Sequence, residues 1–419
     1  MADSNRSAQL RKAALWNTAS GMINAGQSAV ILIFISRFLG VDAAGVFTIA
    51  YALGNLFCTM GKYGVRTFQI TDVAERYRFR DYVLSRILTT AAATLITLIY
   101  LLVQWGVGQY DLGKAAVILV ICLWKMVDSM EDVYYGMYQQ QGRLDVGAKF
   151  YTIRLMISTA VFCLLLIFHL SLTVSSLVVL CISVVSALFL IRRSLPLIQV
   201  DRQAAEKRRV LSMLRVCFPL FIGTSLSVYV GNAPKYMIDW YLDEATQAIF
   251  GFIMMPAFVI LVLNQFIYQP IIRDLGELWA TGDRKRFVSR VMKQYAVVAA
   301  ITVVIILGGA LIGLPILSIL YSTDLTAYRP EFIVLLAGGG VYALVSFIMV
   351  PLTTVRFQSC IAIGFAVAAV ASLLLGKPLV LSHGVMGASL LYLLLNVLLA
   401  VFFTACFFWK VRQKEEALV

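Results

Sequence analysis

The chain has 419 residues, 61% hydrophobic and 14% charged, with a formal net charge of +13. Soluble domains run at about 45–50% apolar and about 25% charged, so this balance excludes an ordinary water-soluble globular protein. The positive charge lies in many short loops and not on one basic face, which gives no footprint for nucleic acid.

A membrane helix needs about 20 mainly apolar residues to cross a hydrocarbon core of about 30 Å. The apolar runs are far longer than the roughly ten-residue alternating strands of a barrel, so the class is all-α and polytopic. The polar, basic start Met1–Lys12 leads into the first span, 13–37, which is too long for the apolar core of a cleaved signal peptide and is expected to be retained. Ser20, Asn24, Gln27 and Ser28 recur there at three- and four-residue spacing, on one helical face, and Arg37 stands at the outer end. Spans at 43–64 and 82–104 follow. The fourth, 113–138, is unusual in carrying Lys125, Asp128, Glu131 and Asp132, the last two towards the cytoplasmic end and loop water.

Spans at 146–168 and 171–191 complete a first half. The seventh, 211–238, repeats the polar stripe of the first with Ser225, Asn232, Lys235 and Asp239, interrupted by Gly231 and Pro234. The remaining spans fall at 246–268, 291–318, 331–354, 357–376 and 385–409, about twelve in all. Loops are short, the longest being 192–210 and 271–290, which leaves no room for a soluble catalytic domain.

Basic residues fix an orientation, because loops rich in Lys and Arg stay in the cytoplasm. They gather at Arg6, Arg11 and Lys12, at Lys62 to Arg86, at Arg143, Lys149 and Arg154, at Arg192 to Arg215, at Arg273 to Lys293, at Arg356 and at Lys410 to Lys414. The opposite loops hold Arg37, Lys114, Arg329 and Lys377. Both termini are therefore expected in the cytoplasm.

At an offset of 203, Ile35, Phe38, Leu39, Val46 and Phe47 fall on Ile238, Tyr241, Leu242, Ile249 and Phe250. At 204, Ser85-Arg86 falls on Ser289-Arg290. Six spans separate equivalent positions, so the halves enter the membrane the same way, as two six-helix lobes, 1–200 and 201–419, related by a parallel repeat.

Two readings of the polar stripes stand. In one, Ser20, Asn24, Gln27, Ser225 and Asn232 only make interhelical hydrogen bonds, worth about 0.6 kcal/mol each; in the other they line a water-filled cavity between the lobes. The in-span charges divide likewise. Lys125 pairs with Asp128, Lys235 with Asp239 and Arg37 snorkels to the interface, or all three cations project into the cavity and attract an anion, phosphate being the common one. Asp128, Asp132 and Asp239 would then balance the empty site or carry a coupling proton or sodium ion. All seven cysteines fall in or beside apolar runs without C-x-x-C spacing, and His169 and His383 lack neighbouring ligands, so neither a disulfide framework, a metal site nor a cofactor is expected.

Specific strings add a resemblance. Ser36-Arg37-Phe38-Leu39-Gly40 through Ala44-Gly45-Val46-Phe47 resembles the "SR.LG...AG.F" signature of bacterial polysaccharide flippases, the Wzx-type members of the multidrug/oligosaccharidyl-lipid/polysaccharide exporter superfamily. Gly384-Val385-Met386-Gly387-Ala388 is similar to the "G..GA" at the start of that family's last span, and Asn232-Ala233-Pro234-Lys235-Tyr236 to its seventh. Leu242-Asp243-Glu244 departs from the pattern where the second half would carry a glycine. The resemblance implies a V-shaped two-lobe bundle in the bacterial cytoplasmic membrane that works by alternating access. It would flip an undecaprenyl-pyrophosphate-linked oligosaccharide to the outer leaflet for surface polysaccharide biosynthesis, alongside polysaccharide polymerase machinery. Two alternatives are a cation-coupled multidrug exporter using Asp128 and Asp239, and a membrane glycosyltransferase, polymerase or ligase. Short outer loops and the lack of P-loop, H-E-x-x-H or G-x-S-x-G patterns oppose an enzyme.

Overall fold

The computed structural model describes the backbone of residues 2–72, 76–197, 204–268 and 271–416. The expected lobe boundary at 200 and Arg202 lie outside the described residues, as do the side chains of Arg6, Arg11, Lys12, Arg273 and Lys414. Among the described residues every regular element is helical. In chain order these are α1 (Ala2–Leu39), α2 (Val41–Lys62), the short α3 (Val65–Thr71), α4 (Phe79–Gly106), α5 (Leu112–Gln140), α6 (Leu144–Ile167) and α7 (Leu172–Ser194). Then follow α8 (Lys207–Tyr241), α9 (Glu244–Tyr268), α10 (Ile271–Ala280), α11 (Arg284–Gly308), α12 (Leu314–Tyr321), α13 (Arg329–Thr354) and α14 (Gln358–Glu416).

Among the described residues ten helices are long and apolar enough to cross a membrane. The charges of α5 keep it out of that ten, and α14 enters it once although Gly384, at φ 54° and ψ −126°, breaks it into two limbs. Adding α5 and the second limb gives the twelve expected segments in the expected order. The ninth is less regular than its apolar pattern implies, since a π-turn at Gly309–Gly313 joins α11 to α12. Pro315, in the first turn of α12, has no N–H for the preceding carbonyls and widens the turn there. The segment after α9 forms a helix, α10, where the sequence reading has a loop; Ile271, Ile272, Leu275 and Leu278 recur on one face, and Leu275 is fully buried.

The bundle is apolar outside as well as inside. On α4, Leu88, Leu95, Ile99 and Leu102 are exposed along one face, as are Val304, Leu307 and Leu311 in the ninth segment, an arrangement suited to lipid tails. Helix α5 is the opposite case. It packs against α2, α3, α4, α6 and α7, so protein surrounds the charges that lipid would reject.

Gly40 joins α1 to α2 at φ 91°, a backbone conformation that a side chain disfavours. Its repeat equivalent, Asp243, solves the same corner differently: its carboxylate accepts the Thr246 amide at 2.7 Å and caps α9. The departure from the flippase pattern is thus a change of helix cap.

By contacts the chain forms two compact units, Met1–Val228 and Tyr229–Val419. In the first, α1 packs on α6 and α2, and α2 on α5 and α4. The first part of α8 belongs to this unit. Gly64, at φ 67°, would place a Cβ 2.8 Å from that of Leu220, and the Tyr63 ring stacks on Phe221 at 4.4 Å. The buried Asp81 accepts from the amides of Arg78 at 3.0 Å and Glu206 at 2.9 Å and meets Arg209 Nε at 3.1 Å. Val65, Tyr82 and Val133 close a core with Met213 and Cys217 of α8. In the second unit α13 packs against α14, α9 and α11.

Candidate functional site

Asp128, Glu131 and Asp132 are spaced three and four residues apart, which puts all three carboxylates on one face of α5. Basic side chains from four helices converge on them. Arg154 of α6 reaches Glu131 at 2.6 Å through Nε and hydrogen-bonds Asp128 through Nη2. Arg86 of α4 meets Asp132 at 2.8 Å and the Gly61 carbonyl at 3.2 Å. Arg66 of α3 lies 3.5 Å from Asp132, donates to Gln139 at 2.9 Å and stacks on the Tyr135 ring at 4.0 Å. Lys125, on α5 itself, donates to Tyr51 at 2.8 Å, and lies 3.4 Å from both Asp128 and Gln27.

Burial makes these contacts consequential, because an ion without a partner in low dielectric is strongly destabilising. Arg86 and Arg154 are 0% exposed and Lys125 2%. Gln27 extends the network by donating to Thr159 at 2.9 Å while accepting from Tyr51 at 3.3 Å.

Beside this network lies a cavity of about 300 Å³. Asn17, Ser20 and Asn24 of α1 form one wall, and Tyr134, Tyr135, Tyr138 and Tyr151 form others. Tyr135 donates to Asn17 at 2.9 Å and Tyr151 to Asn24 at 3.2 Å. A second cavity of about 380 Å³ is lined by Thr59, Thr67, Gln139 and Thr224. Lys62, Arg66 and Asp132 line both. Hydroxyl, amide and aromatic groups around an ion-rich wall can hold a polar, oxygen-rich ligand. Among the described residues no group of three or more His, Cys, Asp and Glu gathers as metal ligands would.

The candidate residues separate accordingly. Lys125, Gln27 and Asp128 join one network, Asp132 on the same helix face is held separately by Arg86 and Arg66, and Ser20 and Asn24 line the first cavity. The Lys125–Asp128 pair is formed. Lys235 makes no salt bridge with Asp239 among the described residues; its ammonium lies 5.8 Å from the Phe258 ring centroid, with the residue 8% exposed. Asp239 is buried, Asn232 half-buried and Arg37 exposed at the end of α1. Ser225 is buried, and its hydroxyl has no hydrogen-bond partner among the described residues.

Two readings from the sequence are corrected. Glu131 and Asp132 do not rest on loop water but are bound by Arg154 and Arg86. Arg86 and Arg154, assigned to cytoplasmic loops, are buried within helices. Their positions inside the expected spans 82–104 and 146–168 were the available signal. The repeat does not preserve the role, since Arg290, aligned with Arg86, pairs with Asp274 in an exposed position.

The fold recurs in solved transporters. The lipid II flippase MurJ, in an inward closed conformation, superposes with a TM-score of 0.66 at 14% identity over 92% of this chain and 86% of that one. A multidrug resistance MATE family transporter of the MOP superfamily, in an inward-facing conformation, gives 0.65 at 13% identity over 94% and 95%. The Vibrio cholerae MATE transporter VcmN gives 0.64 at 12% over 99% and 98%. Among curated proteins none matches. Residues 10–275, more than half of the chain, match the family described as polysaccharide biosynthesis protein, and the chain belongs to that family.

Proposed function

We propose that the protein is a flippase that carries an undecaprenyl-pyrophosphate-linked oligosaccharide from the inner to the outer leaflet of the bacterial cytoplasmic membrane. The observation that carries this reading is a chamber of tyrosines, amides and hydroxyls beside buried cations, in a chain of the polysaccharide biosynthesis family. Such groups suit sugars and phosphates, whereas the lipid tail can stay in the bilayer. MurJ, which shares the fold, is itself a lipid II flippase.

In this reading the lobes 1–200 and 201–419 alternate access around the substrate with both termini in the cytoplasm. Lys125 is engaged by Tyr51, Gln27 and Asp128 and shapes the chamber, while Arg37 and Lys235 supply further cations. Asp128, Asp132 and Asp239 are the candidate carriers of a coupling proton or sodium ion, and the polymerase that extends the glycan is the candidate partner.

The test is complementation in a host that lacks its own surface-polysaccharide flippase. Expression is expected to restore surface polysaccharide and to clear the lipid-linked intermediate from the inner leaflet. Resistance to cationic drugs without restored polysaccharide would instead establish the multidrug exporter, and polysaccharide extension without transfer a polymerase.

A further inference from the structure

The polar core of the first unit does not balance its charge. Among the described residues Lys62, Arg66, Arg86, Lys125 and Arg154 face Asp128, Glu131 and Asp132, five cations against three carboxylates. The three innermost cations are committed: Arg154 spans Asp128 and Glu131, Lys125 shares Asp128, and Arg86 holds Asp132 at 2.8 Å. The excess of two positive charges therefore falls on Lys62 and Arg66. Lys62 forms no salt bridge among the described residues, and Arg66 reaches Asp132 only at 3.5 Å, behind the closer Arg86. These are also the two cations that line both cavities.

Both stand where α2 gives way to α3, and Arg66 keeps 32% of its side chain exposed, so the pair is open to an anion that enters the cavities. A diphosphate diester carries one negative charge on each phosphate, two in all. An arginine fork can grip one phosphate through two oxygens while a lysine ammonium approaches the other as a mobile point charge. The tyrosine, asparagine and serine walls of the first cavity begin directly beside the pair, where the sugar attached to that diphosphate has to lie.

We infer that Lys62 and Arg66 form the diphosphate site for the lipid-linked substrate, with the carrier-proximal sugar in the tyrosine-lined cavity. The inference rests on the flippase reading. It moves the anion site from Lys125, which lines neither cavity, to a pair that lines both, and it assigns specificity for a diphosphate over a monophosphate, because two phosphate groups can meet the two cations separately.

Binding of undecaprenyl pyrophosphate and undecaprenyl phosphate to the purified full-length protein in detergent tests it. The natural protein is expected to bind the diphosphate lipid at least tenfold more tightly. Lys62→Gln, which breaks no ion pair, and the double variant with Arg66→Gln are expected to lose that preference, while Lys62→Arg retains it. Melting temperatures monitor folding, and Lys62→Gln alone decides the matter if the double variant does not fold. Undiminished preference in folded Lys62→Gln overturns the site and leaves the flippase reading standing. A natural protein that binds neither lipid and fails complementation overturns both. Inorganic pyrophosphate competing as strongly as the lipid would assign the pair to a soluble diphosphate and overturn the lipid-linked assignment.

Discussion

Arg154 joins two helices by neutralising two carboxylates at once, with no exposed surface of its own. Removing one partner of a buried ion pair costs about 3–5 kcal/mol because the remaining charge is stranded. Arg154→Leu strands Glu131 and leaves Asp128 to Lys125 alone, so a clear fall in melting temperature is expected in the purified protein; an unchanged melt would show that water already reaches these groups. The sequence did not display this pairing, because its partners lie 23 and 26 positions apart. Arg86 and Asp132 are separated by 46, and Lys125 and Gln27 by 98. Helical periodicity exposes contacts at three and four residues, such as Lys125–Asp128, and is blind to those that only a packed bundle creates.

Helix ends carry the repeat further than side-chain identity does. Gly40 opens α2 through a positive φ, whereas Asp243 opens α9 through a carboxylate cap. Replacing a capping aspartate by alanine costs about 1 kcal/mol, and by glycine only a few tenths. Asp243→Ala is therefore expected to lower stability measurably while Asp243→Gly stays close to the natural protein; equal losses would mean that the cap contributes little. A similar correspondence appears where His169 at φ 55° separates α6 from α7 and Gly384 at φ 54° divides α14. The apolar runs revealed each span because every one must cross the same hydrocarbon thickness. They concealed α3, α10 and the π-turn, whose lengths are set by local packing and by Pro315.

At the scale of the molecule, polarity is arranged from the centre of the first unit outwards, from ion pairs through apolar packing to exposed leucine, isoleucine and valine. Burial of Arg86 and Arg154 removes two residues from the loop tally, yet Arg76, Arg78, Arg192, Arg193 and Arg208 keep the expected bias. A green fluorescent protein fused after Val419 is expected to fluoresce and an alkaline phosphatase fused there to be inactive; the opposite pair of results would reverse the orientation. The seam of the sequence repeat and the seam of compaction do not coincide, for α8 runs unbroken from Lys207 to Tyr241 across the boundary at Val228. Severing the chain between α7 and α8 would leave the two fragments with matching scars, an open seat around Gly64 and Asp81 on one and the Arg209–Phe221 face on the other. The contacts that seat the start of α8 therefore tie the two halves of the sequence together independently of the stretch that joins them along the chain.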